Sequence, residues 1–294
     1  MNLLAVFELC FGSILWAFSF VATTWCLESF SPAYIVGLRF LISFLISFVL
    51  FHVIPRRKID FETIKIALIP SILLSLLMIF TAWGQKYTTA TNSSFITCLY
   101  VLYVPLFEKF VSKKQIPNIY WLFILIGLSG SALICNLQHF NLNSGDILVA
   151  IGSLFAGAQI FWFGLVAKKI KSGFVFNTWQ SFLSMLLPMF YAIGFEKPPT
   201  HVTEKAWWGL IIMSIGSTLI GFALQVRAQK KISASTASII YQIESPIAAI
   251  FAYFLLKERL SHSQLLGAAL IFAAALGASF FSSRQFKNTD VRMT

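Results

Sequence analysis

One acidic residue lies deep inside an apolar stretch of the sequence. Glu244 follows about ten residues of the stretch from Ala234 to Leu256, and Tyr241 and Gln242 lie on the same helical turn. An acid at the centre of a lipid bilayer costs about 2.5 to 3.5 kcal/mol, so it faces a cavity or a partner rather than lipid. Glu244 is therefore a candidate counter-ion for a substrate amine or a candidate proton-coupling site. A structural acid that joins two helices is the alternative.

One arginine also lies within an apolar stretch. Arg39 comes about a turn and a half after Ala33, and a guanidinium group is suited to binding a carboxylate. Two alternatives stay open: the side chain extends to the membrane interface, or it pairs with Glu28. Gln180 has the equivalent place in the second half of the chain and is a further candidate substrate contact.

Aromatic residues make up 16% of the chain. Tyrosine and tryptophan inside apolar stretches are more informative than phenylalanine, because each has a polar tip that needs a partner. An aromatic-lined cavity suits an organic solute with an apolar part and a cationic group. Packing in the core and belts at the membrane interface are the alternatives. The aromatic candidates for substrate contact, besides Tyr241, are Trp16, Tyr100, Tyr103, Trp162 and Trp179, and Gln242 is a polar candidate beside Tyr241.

Ten apolar stretches carry these residues. A membrane-spanning helix needs about 20 residues, and only 11% of the chain is charged, against roughly 25% in ordinary soluble domains. The alternation typical of β-barrel strands is absent from the sequence. We therefore predict an all-α integral membrane protein with ten transmembrane helices. The stretches are Leu3 to Trp25, Ala33 to Ile54, Ile64 to Trp83, Ser93 to Val111, Ile119 to Leu137, Ile147 to Ala167, Phe174 to Phe195, Ala206 to Val226, Ala234 to Leu256 and Leu265 to Phe281.

Landmark residues of the first five stretches recur in the second five. Because five is an odd number, the second copy enters the membrane from the opposite side. The sequence thus predicts two inverted five-helix repeats, residues 1–143 with helices 1–5 and residues 144–294 with helices 6–10. Inverted repeats that meet near the bilayer midplane are typical of secondary transporters with alternating access. The landmark pairs are Ser13 and Ser153 (offset 140), Arg39 and Gln180 (141), Pro105 and Pro246 (141), and Ala90 and Ala234 (144).

Two of these landmarks are prolines inside predicted helices. A proline in a helix frees a backbone carbonyl and forms a kink that can act as a hinge. Because Pro105 and Pro246 share one offset, we interpret them as candidate gating hinges. Plain kinks that improve packing are the alternative for each.

The net charge of +11 has a membrane explanation. Most of the 22 lysine and arginine residues fall at one set of helix ends, and few fall at the other, which holds Lys86, Lys197, Lys205, Lys257 and Arg259. Basic residues accumulate on the cytoplasmic side, so we expect both termini in the cytoplasm and no nucleic-acid partner. The cytoplasmic set includes Arg56, Arg57, Lys58, Lys65, Lys109, Lys113, Lys114, Lys168, Lys169, Lys171, Arg227, Lys230, Lys231, Arg284, Lys287 and Arg292.

Other functional classes have little support in the sequence. An enzyme needs clustered acids, histidines or a nucleophile with its base, whereas the histidines, His52, His139, His201 and His262, are far apart at helix ends or loops. The cysteines, Cys10, Cys26, Cys98 and Cys135, are single and are interpreted as packing residues. A nucleotide-binding motif and the repeated filter of a channel are both missing. We expect no catalytic residues, no metal site and no cofactor.

The sequence resembles the EamA-type transporters of the drug/metabolite transporter superfamily along nearly its whole length. The matching segments include SPAYIVGLRF with Arg39, YTTATNSSFITCLYVLYVP from Tyr87 to Pro105, and the Ser144-Gly145-Asp146 start of helix six. The most specific segment runs from Lys231 to Ser261 and contains Pro246 and Lys257-Glu258-Arg259. Family members often place an acid directly before the helix-nine proline, whereas Ser245 separates Glu244 from Pro246 here.

This resemblance implies a multi-pass carrier of small organic solutes in a bacterial inner membrane. We expect secondary-active export of amino acids or related metabolites by alternating access at an aromatic-lined cavity, with protons as the candidate coupling ion. Uptake or exchange of a cationic nucleoside-like or methyl-donor metabolite, and multidrug export, are the alternatives. Substrate identity does not follow from the fold.

Overall fold

The structure is a computed structural model that describes residues 3–56, 59–134, 143–259 and 262–290. The regular structure of these residues is entirely helical. Residues named above that lie outside them are Arg57, Lys58, Cys135, Leu137, His139, Ser261 and Arg292. The helices are α1 Leu3–Leu27, α2 Pro32–Phe48, α3 Phe61–Gln85, α4 Ala90–Thr97, α5 Tyr100–Phe110, α6 Asn118–Ile134, α7 Ser144–Val166, α8 Gly173–Phe195, α9 Glu204–Ile212, α10 Phe222–Gln229, α11 Ala234–Tyr241, α12 Glu244–Leu256 and α13 His262–Asp290.

Side-chain caps define several helix starts. The Thr89 hydroxyl accepts a hydrogen bond from the backbone N–H of Asn92 before α4, and Ser233 accepts one from Thr236 before α11. Such caps satisfy N–H groups that have no partner in the first turn. The two capping residues lie 144 positions apart, the offset found in the sequence.

Two of the membrane-spanning segments are broken near their middle. The segment Ala90–Phe110 is interrupted between α4 and α5 at Cys98 and Leu99, and the segment Ala234–Leu256 between α11 and α12 at Gln242 and Ile243. The breaks are again 144 residues apart. A third segment, Glu204–Gln229, stays continuous because a π-helix, Met213–Gly221, joins α9 to α10.

Seven helical segments of the described residues are long and apolar enough to cross a membrane, and two shorter apolar helices, Asn118–Gly130 and Leu265–Ala278, accompany them. The all-helical membrane architecture is confirmed, whereas the count of ten spans and the inverted repeats stay predictions. The predicted seventh span, α8, is long enough but is not among the seven. Its polar residues, which include Asn177, Thr178, Gln180, Ser181 and Ser184, lower its hydropathy.

Helices from the two sides of residue 143 pack in pairs: α2 with α8, α3 with α7, and α6 with α13. The α3–α7 crossing is close because two glycines meet there. A Cβ atom on Gly84 would lie 2.6 Å from the Gly145 carbonyl oxygen, and one on Gly145 would lie 2.5 Å from the Gly84 carbonyl oxygen. Small residues commonly permit such approaches between membrane helices.

Two carboxylates, one at each end, connect the two broken segments by hydrogen bonds. Glu258, just after α12, accepts hydrogen bonds from the Ala90 N–H (3.2 Å) and the Thr91 hydroxyl (2.5 Å) at the start of α4. Glu108, near the end of α5, accepts them from the N–H and hydroxyl of Ser235 at the start of α11. The broken segments therefore run antiparallel, with α12 against α4 and α11 against α5.

These contacts define two faces of the helix bundle. The Gln85 face is the one at which α3 ends, α4 begins and α12 ends. The Gln229 face is the one at which α10 ends, α11 begins and α5 ends. An ion pair between Glu8 and Arg227 (2.5 Å) places the start of α1 at the Gln229 face.

Candidate functional site

A cavity of about 80 Å³ lies between the two broken segments. At mid-depth it is lined by residues beside the two breaks, among them Thr97, Tyr100, Tyr241 and Glu244. It reaches the Gln85 face, where Gln85, the last residue of α3, lines it. At the opposite face, α10 continues beyond the lining residue Gln225 by about one helical turn. The cavity lining thus reaches one face and stops about one helical turn short of the other.

One wall of the cavity is an aromatic cluster centred on Trp16. The Trp16 ring lies 5.0 Å from the ring of Tyr241 in an edge-to-face arrangement and 5.2 Å from the ring of Phe222. Its Nε1 atom donates a hydrogen bond to the Ser217 carbonyl (3.1 Å). These contacts fix the indole orientation, so the wall is preformed for an apolar or cationic group.

The guanidinium of Arg39 lies inside the cavity lining. Its side chain is only 4% exposed, which excludes extension to the membrane interface. Nε donates a hydrogen bond to the Thr218 hydroxyl (2.6 Å), and Nη1 lies 3.6 Å from the Met78 sulfur. Nη2 has no hydrogen-bond partner in the described chain, and Glu28 forms no ion pair with this side chain. Arg39 therefore presents an unsatisfied cationic donor to the cavity.

The carboxyl group of Glu244 faces the same cavity. Glu244 is the first residue of α12 and is 6% exposed. Among the described residues its carboxylate takes part in no hydrogen bond and forms no ion pair within 4.0 Å, including with Arg39. The cavity thus contains one cationic and one anionic group that do not neutralise each other directly.

Three glutamines complete the polar lining. Gln159 and Gln225 exchange two hydrogen bonds of 3.3 Å between α7 and α10 at the deepest part of the cavity. Gln85 donates to the Phe20 carbonyl (2.5 Å) and the Thr24 hydroxyl (2.9 Å) near the Gln85 face. Gln85 and Gln225 were missed from the sequence, although an amide inside an apolar helix is the signal that could have found them.

The structure brings together half of the predicted substrate contacts. Trp16, Arg39, Tyr100, Tyr241 and Glu244 line the cavity. The others lie outside its lining. Gln242 packs against Gly127 of α6, and Tyr103 packs against Gly157 of α7. Trp179 and Gln180 are buried in α8, and Trp162 is half-buried in α7.

The two proposed hinge prolines lie on the C-terminal side of the breaks. Pro246 is in the first turn of α12, where a proline is compatible with helix geometry. Pro105 lies in the interior of α5, several residues after its break. Their shared offset of 141 therefore differs from the offset of 144 between the breaks, and only Pro246 directly adjoins one.

Comparison with known proteins identifies the family. The model of the EamA-like transporter family matches residues 3–136 and again residues 143–280. An uncharacterized transporter of Archaeoglobus fulgidus is 28% identical over 265 residues, which cover 90% of this chain and 82% of that protein. The uncharacterized transporter YoaV of Bacillus subtilis is 24% identical over 282 residues, which cover 93% and 96%.

A solved structure shares the fold. It superposes with a TM-score of 0.76 at 16% sequence identity and covers 96% of this chain and 98% of its own. The similarity of folds agrees with the two matches of the family model, which together span most of the sequence. The chain belongs to the EamA-like transporter family of the drug/metabolite transporter superfamily.

Proposed function

We propose that this transporter is secondary-active and exports amino acids or related zwitterionic metabolites by alternating access at the cavity. The observation that carries the proposal is the presence of Arg39 and Glu244, unpaired, in one enclosed space. A buried charge is costly unless it is paired or hydrogen-bonded. A solute with a carboxylate and an amine supplies both missing partners at once, and its apolar part packs against the Trp16 wall.

Alternating access is supported by the arrangement of the broken segments. Their breaks lie 144 residues apart and both adjoin the cavity, as expected of inverted repeats that form one central site. Breaks in membrane helices are tolerated where they line a cavity. Pro105 and Pro246 are proposed to ease bending of the segments that follow the breaks.

The orientation follows from the basic residues. Lys114, Arg227 and Lys230 are near the Gln229 face, as is the start of α1. The positive-inside rule then makes this face cytoplasmic, with both termini inside a bacterial inner membrane. In this orientation the cavity lies toward the exterior.

A cationic substrate is the second candidate. The Trp16 wall together with Glu244 suits a cation that has no carboxylate, such as a nucleoside-like or methyl-donor metabolite, and the same features suit multidrug export. Such a solute leaves the charge of Arg39 uncompensated, which favours the zwitterion. Glu244 is also the proposed site at which a coupling proton binds.

Thermal unfolding of the purified protein tests the substrate class. Amino acids, nucleosides, polyamines and methylated cations are added in turn; a ligand at 100 times its dissociation constant stabilises the protein by about 2.7 kcal/mol. We expect amino acids to raise the melting temperature and Glu244→Gln to abolish the shift. Glu204→Gln, which changes an exposed acid of α9, is the matched control and should retain the shift.

Transport in proteoliposomes tests activity and direction. A ligand found above should exchange across the membrane, and cells that express the protein should hold a smaller internal pool of it. Accumulation in cells would support uptake instead. If only polyamines or methylated cations stabilise the protein, the substrate is a cation rather than a zwitterion. A stabilising ligand that is not exchanged across the membrane would contradict transport of that solute.

A further inference from the structure

We propose that the π-helix Met213–Gly221 holds the charges of Arg39 and Glu244 apart. Thr218 positions the guanidinium, and Asn177 positions Thr218. This role rests on the proposed function, in which the two charges bind the two charged groups of one solute, and it deepens that function by naming what keeps both charges available.

The first observation is that two adjacent residues of the π-helix hold two walls of the cavity. The Thr218 hydroxyl accepts a hydrogen bond from Nε of Arg39 (2.6 Å). The Ser217 carbonyl accepts one from Nε1 of Trp16 (3.1 Å). The π-helix therefore fixes both the cationic group and the aromatic wall.

The second observation is a buried side chain that secures the π-helix itself. Nδ2 of Asn177 in α8 donates hydrogen bonds to the carbonyls of Thr218 (2.8 Å) and Leu219 (3.0 Å). The hydrogen-bond register of a π-helix changes where it returns to an α-helix, so a carbonyl loses its usual N–H partner there. Asn177 satisfies these carbonyls and holds the backbone in the conformation that turns Thr218 toward Arg39.

The third observation is that this arrangement occurs once. At the offset of 144 that relates the two breaks, the segment with the π-helix corresponds to α3, which is α-helical throughout. Leu74 occupies the position that corresponds to Thr218, and Gln180 occupies the one that corresponds to Arg39. Leucine cannot accept a hydrogen bond, so the pair of arginine and hydroxyl has no counterpart in the other half. The π-helix thus accompanies the arginine rather than packing that both halves share.

Separation of the charges matters because an untethered guanidinium would be drawn to the carboxylate. Arg39 and Glu244 line one cavity, and opposite charges attract strongly where water is scarce. The two form no ion pair within the described chain; Nε of Arg39 is bound to Thr218 instead, and Nη1 lies 3.6 Å from the Met78 sulfur. Direct pairing would neutralise both charges and leave neither for a zwitterion.

Double-mutant cycles on thermal unfolding test the separation without a ligand. Arg39→Gln, Glu244→Gln and the double variant are compared in the parent protein and in Thr218→Val. We expect the two shifts in melting temperature to be nearly additive in the parent. In Thr218→Val the departure from additivity should be at least about twofold larger, because a direct ion pair forms. An equal departure in both backgrounds would overturn the proposal.

Two further variants are controls for this cycle. Thr218→Ser keeps the hydroxyl and should retain the additivity of the parent. Thr178→Val removes another buried hydroxyl, which donates to the Phe174 carbonyl (3.0 Å) within α8, and should leave the additivity unchanged. The same enlarged departure in Thr178→Val would overturn the assignment of this role to Thr218.

Binding of a decarboxylated amine distinguishes positioning from general damage to the structure. A direct pair with Arg39 would occupy the Glu244 carboxylate, so Thr218→Val should weaken amine binding at least about tenfold. Addition of Arg39→Gln to Thr218→Val should restore amine binding, because it frees the carboxylate. Isothermal titration calorimetry measures both. Parental affinity in Thr218→Val, or weak binding that Arg39→Gln does not restore, would overturn the proposal.

Asn177→Leu tests the remaining step. Loss of the amide releases the two carbonyls, so this variant should show the same enlarged departure from additivity and the same restoration by Arg39→Gln. Gln229→Leu is the matched control, because its amide also donates to a backbone carbonyl, that of Ile160 (3.0 Å), outside the π-helix. Parental additivity in Asn177→Leu would overturn the role of Asn177.

The proposed function and the separation of charges fail by different results. A parent protein that binds neither an amino acid nor its decarboxylated amine would contradict the proposed function. The ligand-free cycle would still support or overturn the separation of Arg39 from Glu244 in that case.

Discussion

Arg39 is the proposed partner of the substrate carboxylate, and substitution of Arg39 tests this role. Charge-assisted hydrogen bonds contribute about 1.5 to 3 kcal/mol, so Arg39→Gln should weaken binding of a zwitterion by about 10- to 150-fold. The same variant should bind the corresponding decarboxylated amine as well as the parent protein does. Isothermal titration calorimetry measures both. Lys205→Gln, which removes an exposed charge at the start of α9, is the control, and equal weakening for both ligands would contradict a carboxylate partner.

The residue types at the site could be predicted only in part. Glu244 and Arg39 were found because an ion inside an apolar helix has few structural explanations. Gln242 lies outside the cavity lining although its neighbour Tyr241 lies within it, since neighbouring residues of a helix point about 100° apart and the helix also breaks here. Gln85 and Gln225 were missed because they lie at the ends of the predicted spans Ile64 to Trp83 and Ala206 to Val226, where polar residues are ordinary.

At the scale of helices, the close α3–α7 crossing predicts that a larger residue at Gly84 lowers the stability of the protein. Gly84→Ala should lower the free energy of unfolding by about 1 to 3 kcal/mol, because its Cβ would overlap the backbone of Gly145 and force the helices apart. Gly194→Ala in α8 is the matched control, since nothing lies within 4 Å of its Cβ position. Thermal unfolding in detergent compares the two. Equal stability of both variants would mean that the crossing relaxes without cost.

Helix positions could be predicted from apolar length, whereas helix breaks could not. The segments around Ala90–Phe110 and Ala234–Leu256 were predicted as single spans because their hydropathy is continuous. The breaks arise from local 3₁₀-like hydrogen bonds, such as Leu99 N–H to Ile96 O and Ile243 N–H to Ile240 O. Apolar periodicity carries no signal for such turns. Pro105 and Pro246 share an offset of 141, which suggested symmetric hinges. The breaks lie 144 residues apart, so the prolines did not predict their positions.

At the scale of the whole molecule, the caps by Glu108 and Glu258 predict which parts move together. Both caps are formed in this structure, in which the cavity lining reaches one face only. We therefore expect the broken segments to stay joined throughout transport. A disulfide between Thr91→Cys and Glu258→Cys should preserve at least about half of the exchange rate. Proteoliposome exchange before and after reduction measures this rate, and block by the disulfide would show that this cap must open.

The all-helical membrane architecture was predictable from the long apolar stretches and the low charged fraction of 11%. The inverted repeats, which rest on offsets of 140 to 144, and the orientation, which rests on the one-sided basic residues, stay predictions. Under the proposed alternating access, the sequence must be compatible with two states that differ by about a few kcal/mol, so it could not predict which of them the structure shows.

The second half of the chain has Gln180 at the position that corresponds to Arg39 in the first half. This difference in charge has a kinetic consequence. The solute concentration that half-saturates the carrier would differ between the two sides of the membrane. It would be lower at the Gln85 face. Such an imbalance cannot drive net flux by itself, since a ligand shifts an equilibrium only by its differential affinity for the two states. It does mean that solute which has just crossed outward leaves slowly. Release at the Gln85 face would therefore limit the rate of net export, and the measured rate would depend on the solute concentration at that face.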